Sequence, residues 1–209
     1  MDVMRELRRL GFRANMFGEV IVVFFHTHSS SIFTVPLGLR LAAEGLKARI
    51  YPGTRTRKVL ESESFDRCCI CITTDPLLFY RATLYRERLR YKTIGSDGEE
   101  YLCLRQCDAY ILCRVVKRYT SRRFLYLVLK PVKLVCSRHR PRVVNRATLA
   151  VLEALIYLTK MPYVDVATRE HYLNMMQMLM EIVKRCTTSK AIRIAMQDIL
   201  QRAQKLGIE

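Results

Sequence analysis

The sequence predicts an α+β chain: a mainly antiparallel small β-barrel, closed or split, over residues 1–139, followed by a C-terminal three-helix unit over 140–209. Three observations carry this. About six runs rich in Val, Ile, Leu, Phe, Tyr and Cys occupy the first two thirds, the count expected of a small barrel. The connections between the first three runs are too short for crossovers, so those strands pair antiparallel. Beyond the polar, basic break at Ser137-Arg138-His139-Arg140-Pro141, the apolar period changes to 3.6.

Taken in order, residues 1–15 read as a short basic helix or an arm. Gly18 to Phe25 is a β-branched and aromatic strand, and the Ser-rich His26 to Ser31 a turn. A strand from Ser31 to Leu41 carries Pro36 and Gly38; a tight turn at Ala42 to Gly45 leads into the strand Leu46 to Tyr51. After the break at Pro52-Gly53, a short helix runs from Arg55 to Glu61, with Thr54 as its N-cap. Arg67 to Thr73 is a buried strand. Asp75 caps and Pro76 opens a helix through Arg86. Thr93 to Glu100, with Gly95, Asp97 and Gly98, reads as a loop. Two long strands then follow, Tyr101 to Tyr119 and Phe124 to Cys136, joined at Thr120-Ser121-Arg122. In the helical part, Ala147, Val151, Ala154, Leu155 and Leu158 share one face. A second helix, from about Ala167 to Lys184, presents Leu173, Met176, Met180 and Val183. A third, Ser189 to Leu206, presents Ile192, Ala195, Met196, Ile199 and Ala203 and closes at Gly207. At that spacing the cluster Met175, Met176, Met178 and Met180 reads as core or a subunit contact.

The formal charge of the 209-residue chain is +17, with 26 Arg and 10 Lys. Arginine excess suits phosphate contacts or an ion-paired surface. The basic residues are scattered, and no zinc finger, leucine zipper or aromatic RNA-binding signature accompanies them. The apolar runs are strand-sized, the longest being Val20 to Phe25, and the charged N-terminus has no leader-like centre; a cytoplasmic protein is expected. The eight cysteines, Cys68, Cys69, Cys71, Cys103, Cys107, Cys113, Cys136 and Cys186, contain no C-x-x-C pair and are expected to be reduced core residues. His26 and His28 form an H-x-H without neighbouring carboxylate or Cys, so a polar strand end is expected there and no metal site.

The stretch with most chemistry is Arg49-Ile50-Tyr51-Pro52-Gly53-Thr54-Arg55-Thr56. A helix N-terminus offers unpaired N–H groups and partial positive charge. Thr54 and Thr56 add hydroxyls, and Arg55 and Arg57 add cations, a set that suits a phosphate. It is not a nucleotide P-loop, because no second Gly precedes a Lys and Ser or Thr.

Four stretches together carry a family resemblance: Thr34-Val35-Pro36-Leu37-Gly38; Arg49 to Thr56; Ile72-Thr73-Thr74-Asp75-Pro76-Leu77-Leu78-Phe79; and Asn145-Arg146-Ala147 with Val151 to Lys160. In this order and at these separations the chain resembles the mostly archaeal domain-of-unknown-function family 447, flavoproteins of the FMN-binding split-barrel fold. The resemblance covers nearly all of the chain from Gly18. It implies non-covalent FMN at the interface of a homodimer, and an oxidoreductase or flavin-reductase-like role without a named substrate. It places the phosphate on Thr54, Arg55 and Thr56 with Arg49 as a further cation, and the isoalloxazine beside Pro36, Leu37 and Gly38. Tyr51, Thr73 and Asp75 complete the implied cofactor set. The chain departs from the family at Cys71, where Asn is usual, at Thr74, where a second acidic residue is usual, and at Phe33, often polar.

Asp75 also has a plain reading as a helix cap, Asn145 and Arg146 as ties between the third element and the barrel, and Glu153 as the partner of an Arg. Two other functions compete with a flavoprotein. One is a basic barrel that binds nucleic acid, suggested by Tyr80-Arg81, Tyr85-Arg86, Arg90-Tyr91 and Arg118-Tyr119. The other is a dimeric scaffold whose flavin site has decayed.

Overall fold

The computed structural model describes residues 3–26, 31–136 and 141–208. His28, most of the Ser-rich turn and the basic break at 137–140 lie outside them. Strands β1 (Gly18–Phe25), β2 (Ile32–Ala42) and β3 (Gly45–Ile50) form the expected antiparallel meander. With β4 (Arg67–Ile72), β7 (Ala109–Ser121) and β8 (Phe124–Cys136) they close a six-stranded barrel in the order β1-β2-β3-β8-β7-β4. The chain thus has the split-barrel, mixed α+β architecture that the strand count and short connections predict.

Two expectations fail between β4 and β7. The predicted loop at Thr93 to Glu100 is a hairpin, β5 (Tyr91–Ser96) and β6 (Glu99–Leu104). Its turn is Asp97-Gly98, both at positive φ (53° and 76°), the backbone that a two-residue hairpin turn requires. The predicted strand Tyr101 to Tyr119 is therefore two strands, β6 and β7, parted at 105–108, where Asp108 N–H donates to the Ile72 carbonyl.

The hairpin explains why β1 and β4 are apolar without alternation. Val20, Val22 and Phe24 of β1, and Cys68, Ile70 and Ile72 of β4, fill the barrel. The residues between them, Ile21, Val23, Cys69 and Cys71, lie in a second core with Tyr101, Cys103, Leu104, Tyr110 and Leu112. Leu78 and Ala82 of helix α3 (Pro76–Leu84) join that second core. Both faces of these strands are buried, so neither face selects polar residues. Cys69 and Cys103 are joined across this core as a disulfide, Cα–Cα 5.4 Å. This corrects the expectation of eight reduced thiols: the two cysteines stand 34 residues apart and meet only because the hairpin folds back over β4.

The N-terminal residues form a helix, α1 (Val3–Arg9), rather than an arm. Leu7, Leu10 and Phe12 are buried with the barrel core, and Glu6 pairs with Arg9 at 2.7 Å. Helix α2 (Arg55–Ser62) follows β3. Helix α3 stops at Leu84, short of the predicted Arg86, and a 3-10 turn, Arg86–Arg88, leads into β5.

The described residues fall into two compact units: the barrel part through Ala14 and Gly18–Val144, and Asn15–Phe17 with the residues from Asn145 on. The second unit contains α4 (Arg146–Lys160), α5 (Val166–Cys186) and α6 (Lys190–Ile208). Its core holds Ala147, Ala150, Ala154, Met176, Met180, Val183, Met196, Ile199 and Ala203. Leu155, expected inside, is 41% exposed, and Ala150 takes its place. Of the methionine cluster, Met176 and Met180 are core and Met178 is exposed. Helix α6 continues through Gly207 rather than ending at it. No helix among the described residues is long and apolar enough to cross a membrane.

Gly45 sits at φ +136°, where β2 turns into β3, and a Cβ there would collide with the Leu129 carbonyl of β8. Strain of that kind, with a clash against backbone, costs about 3 kcal/mol. Gly45→Ala is expected to lower the stability measured by denaturant unfolding by that amount; an unchanged midpoint would show that β3 and β8 separate freely.

Candidate functional site

The β2–β3 ladder is short. It joins Leu39, Arg40, Leu41 and Ala42 to Ala48, Lys47, Leu46 and Gly45 and then stops. Continued in the same register it would place Gly38, Leu37 and Pro36 opposite Arg49, Ile50 and Tyr51. Instead β2 pairs only with β1 there (Pro36 with Ile21, Leu37 with Val20, Gly38 with Glu19), while Arg49 and Ile50 pair with Tyr126 and Leu125 of β8. Proline supplies no N–H for a second ladder, and Pro52-Gly53, with Gly53 at φ +74°, turns the chain away after Tyr51. Two of the implied stretches, Pro36–Gly38 and Arg49–Tyr51, thus belong to the parted ends of neighbouring strands.

Arg49 is held at its strand end. Its guanidinium lies 5.3 Å from the Tyr51 ring centroid and 5.2 Å from that of Phe124, and Nη2 donates to the Tyr51 hydroxyl at 3.0 Å. Tyr51 is 45% exposed and meets Phe124 edge-on at 5.2 Å.

Thr54 caps α2 as its sequence position predicts. Its Oγ1 accepts from Arg57 N–H at 3.2 Å and donates to the Tyr51 carbonyl at 2.9 Å. Arg57, read as a second phosphate cation, is engaged elsewhere: Nε donates to Glu61 at 2.8 Å and Nη1 to the Arg123 carbonyl at 2.8 Å. Among the described residues Arg55 has no such partner. Its electrostatic neighbour is Arg86: burial, and then the Arg55 charge, hold Arg86 below the ordinary guanidinium value. Arg86 is anchored by Nε donating to the Ala82 carbonyl at 3.0 Å, and its guanidinium lies 5.5 Å from the Phe33 ring centroid. Arg55, the first residue of the eight-residue helix α2, and Arg86 thus bring like charges together.

Near the same group, Tyr91 of β5 shares a 2.8 Å hydrogen bond with Thr34 of β2, which is 2% exposed. Burial, chiefly, raises the Tyr91 pKa, so it is a neutral phenol at physiological pH. Sequence reading misses both Arg86 and Tyr91. It places Arg86 at the end of a helix and counts Tyr85-Arg86 and Arg90-Tyr91 toward a nucleic-acid surface, not toward a flavin site. The signal that could have found them is the Asp97-Gly98 turn, which fixes the hairpin that carries Tyr91.

At the end of β4, Thr73 is buried and its Oγ1 accepts from Asp75 N–H at 3.1 Å. Asp75 caps α3, accepting Leu77 N–H at 2.8 Å, and the next residue, Pro76, begins the helix. The three departures from the family pattern differ in placement. Phe33 packs in the barrel with Phe24 and Phe65, its ring 6.5 Å from each. Cys71 is buried, its sulfur 3.8 Å from that of Cys69. Thr74 is exposed. Contact with Cys71, first, and burial raise the Cys107 thiol far above its usual range, so it is not a nucleophilic thiolate. No group of three His, Cys, Asp or Glu among the described residues is arranged to hold a metal ion.

The Tyr–Arg pairs read as a base-stacking surface make contacts within the chain. Tyr80 and Tyr85 meet at 5.2 Å, Tyr119 stacks on Tyr126 at 5.3 Å, and Arg118 Nη2 donates to the Glu63 carbonyl at 2.9 Å. In the helical unit, Asn145 caps α4, accepting Thr148 N–H at 3.1 Å while its Nδ2 donates to the Phe17 carbonyl at 2.7 Å. Glu153 interacts with Tyr157, one turn on, rather than with an arginine, and raises that phenol's pKa.

A family model described as "Protein of unknown function (DUF447) N-terminal domain" matches residues 18–138. No functionally curated protein matches the chain. Among solved structures, the FMN-bound protein MM1853 from Methanosarcina mazei, also designated DUF447, is 22% identical, with 94% of this chain and 99% of that one covered and a TM-score of 0.50. The nitrilotriacetate monooxygenase component B homologue from Mycobacterium thermoresistibile is 14% identical over 69% of this chain and 86% of that one, TM-score 0.47. The FMN-binding protein from Thermus thermophilus is 11% identical over 61% and 76%, TM-score 0.46. The likeness to MM1853 concerns the fold, and the family model spans every barrel strand and the β5–β6 hairpin. A match over more than half of its 209 residues makes this chain a member of the DUF447 family.

Proposed function

We propose that this protein is an FMN-binding flavoprotein and works as an oxidoreductase of the flavin-reductase type. The observation that carries the reading is the parting of β2 and β3 just before α2, whose first residue, Arg55, is close enough for its charge to act on Arg86 of the 3-10 turn. The FMN-bound state of MM1853 supports it.

The residues present fit the cofactor. Arg55, Arg86, the Thr56 hydroxyl and the N–H groups of the first turn of α2 hold the phosphate, with charge-assisted hydrogen bonds as the main contribution. The edge of β2 at Pro36, Leu37 and Gly38 offers backbone groups to the ring system, and Gly38 has no side chain to obstruct a flat ligand. Arg49 adds a cation at the facing strand end, favouring a reduced, anionic ring. Bound FMN supplies the hydride and electron chemistry; the protein binds and orients it and sets its electrostatics. Tyr91, Thr73 and Asp75 fix the walls around this end of the barrel through the hydrogen bonds given above. Thr54 contributes through its cap, so Thr54→Ala would cost about 1 kcal/mol of helix stability and confuse a binding test.

The working form is a homodimer. Leu77, Tyr80 and Leu84 lie one turn apart on α3 and are 58%, 48% and 64% exposed, an apolar stripe suited to burial against a second copy.

FMN added to the purified protein is expected to shift the flavin absorption bands and quench flavin fluorescence. Arg55→Gln and Arg86→Gln are each expected to weaken FMN about 10-fold or more, whereas Arg122→Gln, in the β7–β8 turn, leaves it unchanged. A wild-type protein whose addition leaves the FMN spectrum as it was refutes the reading. In sedimentation, Leu77→Glu with Leu84→Glu is expected to convert dimer to monomer; a wild-type monomer at micromolar concentration refutes the dimer.

A further inference from the structure

A separate concavity of about 410 Å³ is lined by Leu78, Arg81, Arg88, Leu89, Arg90 and Gln106. Leu78 and Arg81 stand three residues apart on α3 and so share a face. Arg88 ends the 3-10 turn, where Leu89 N–H donates to the Arg86 carbonyl at 3.1 Å. Leu78 and Leu89 are 4% and 8% exposed and belong to the second core, so the floor is apolar. The far wall is equally fixed. Arg105 N–H donates to the Arg90 carbonyl at 2.8 Å. The Tyr110 hydroxyl bridges the Arg105 carbonyl and Cys107 N–H at 3.2 Å each, on either side of Gln106.

Arg81, Arg88 and Arg90 therefore all line one small concavity, with the Arg88 guanidinium 4.8 Å from the Tyr85 ring centroid. Among the described residues their only acidic neighbour in an ion pair is Glu87, 3.8 Å from Arg88, and both side chains are more than two-thirds exposed, so the pair contributes little. Among the same residues no carboxylate pairs with Arg81 or Arg90, and the Gln106 amide has no hydrogen-bond partner. Like charges held together with no counter-charge favour a ligand bearing more than one negative charge. An apolar floor beside a free amide favours a flat base with polar edges, and the volume is within the range of small-molecule sites.

We propose that this concavity is a second ligand site, for a nucleoside diphosphate group. The base lies on Leu78 and Leu89 with its edge on Gln106, and the two phosphates are held by Arg81, Arg88 and Arg90. Arg86, turned to Phe33, does not line it, so this site is distinct from the flavin site and does not rest on the flavin reading.

The probe is ADP, titrated calorimetrically into the full chain with and without FMN, beside pyrophosphate and adenosine. ADP is expected to bind one to one, more tightly than either fragment, without displacing FMN. Arg81→Gln with Arg90→Gln is expected to weaken ADP about 100-fold while leaving the melting temperature and the FMN response unchanged. Gln106→Leu is expected to weaken ADP and leave pyrophosphate unaltered. Absence of ADP binding at low salt overturns the proposal. So does full affinity in the folded double variant, which would assign the anion to another part of this basic surface. Equal affinity for pyrophosphate and ADP, or displacement of FMN by ADP, also overturns it.

Discussion

The four-residue ladder between β2 and β3 is the constraint on which the rest of this molecule depends. Gly45 makes the turn that starts it, close against the Leu129 carbonyl, and Pro36 and Pro52-Gly53 bound the region where it ends. Along its other edge β3 pairs with β8 from Leu46 to Ile50, and this ladder closes the barrel. Where the β2–β3 ladder ends, Pro36–Gly38 of β2 keeps β1 as its one strand partner. The turn after β3 also brings the first turn of α2, and with it Arg55, to that end.

The second core is the other organising feature. Hairpin β5–β6 and α3 cover the outer face of β1, β4 and β7, and the Cys69–Cys103 disulfide ties the hairpin to β4. With both faces buried, these strands are insensitive to which side a polar residue would take, and short cysteines fill the narrow layer. The cover also carries the residues of both proposed sites: Tyr91 at the root of the hairpin, Arg86 on the 3-10 turn, and Arg81, Arg88 and Arg90 around the separate concavity.

The parts that sequence reading reaches are those governed by local chemistry. Strands β1 to β3 follow from β-branched runs with short connections. Thr54 and Asp75 are caps because an oxygen-bearing side chain precedes a helical pattern, and each accepts the expected N–H; Asn145, read only as a tie to the barrel, caps α4 as well. The missed parts depend on contacts distant in sequence. Arg57 is equivalent to Arg55 by sequence; the Arg123 carbonyl, in a remote turn, takes one of its donors and sets it apart. Arg86 is distinguished from its basic neighbours by its bond to the Ala82 carbonyl and its approach to Phe33 and Arg55. Cys69 and Cys103 are ordinary core residues until the hairpin brings them together. The hairpin itself is legible, since Asp97-Gly98 is a strong turn signal, but the polar residues around it give the stretch the composition of a loop.

The central claim is that FMN occupies the end of the barrel where β2 and β3 part. Amide hydrogen exchange with and without FMN tests it most directly. FMN at this end is expected to slow exchange at Leu37, Gly38 and the first turn of α2, with little change at β5–β6 turn residues Asp97 and Gly98. Slowed exchange confined to other elements, or none at Leu37, Gly38 and Thr56 despite flavin binding, would contradict it.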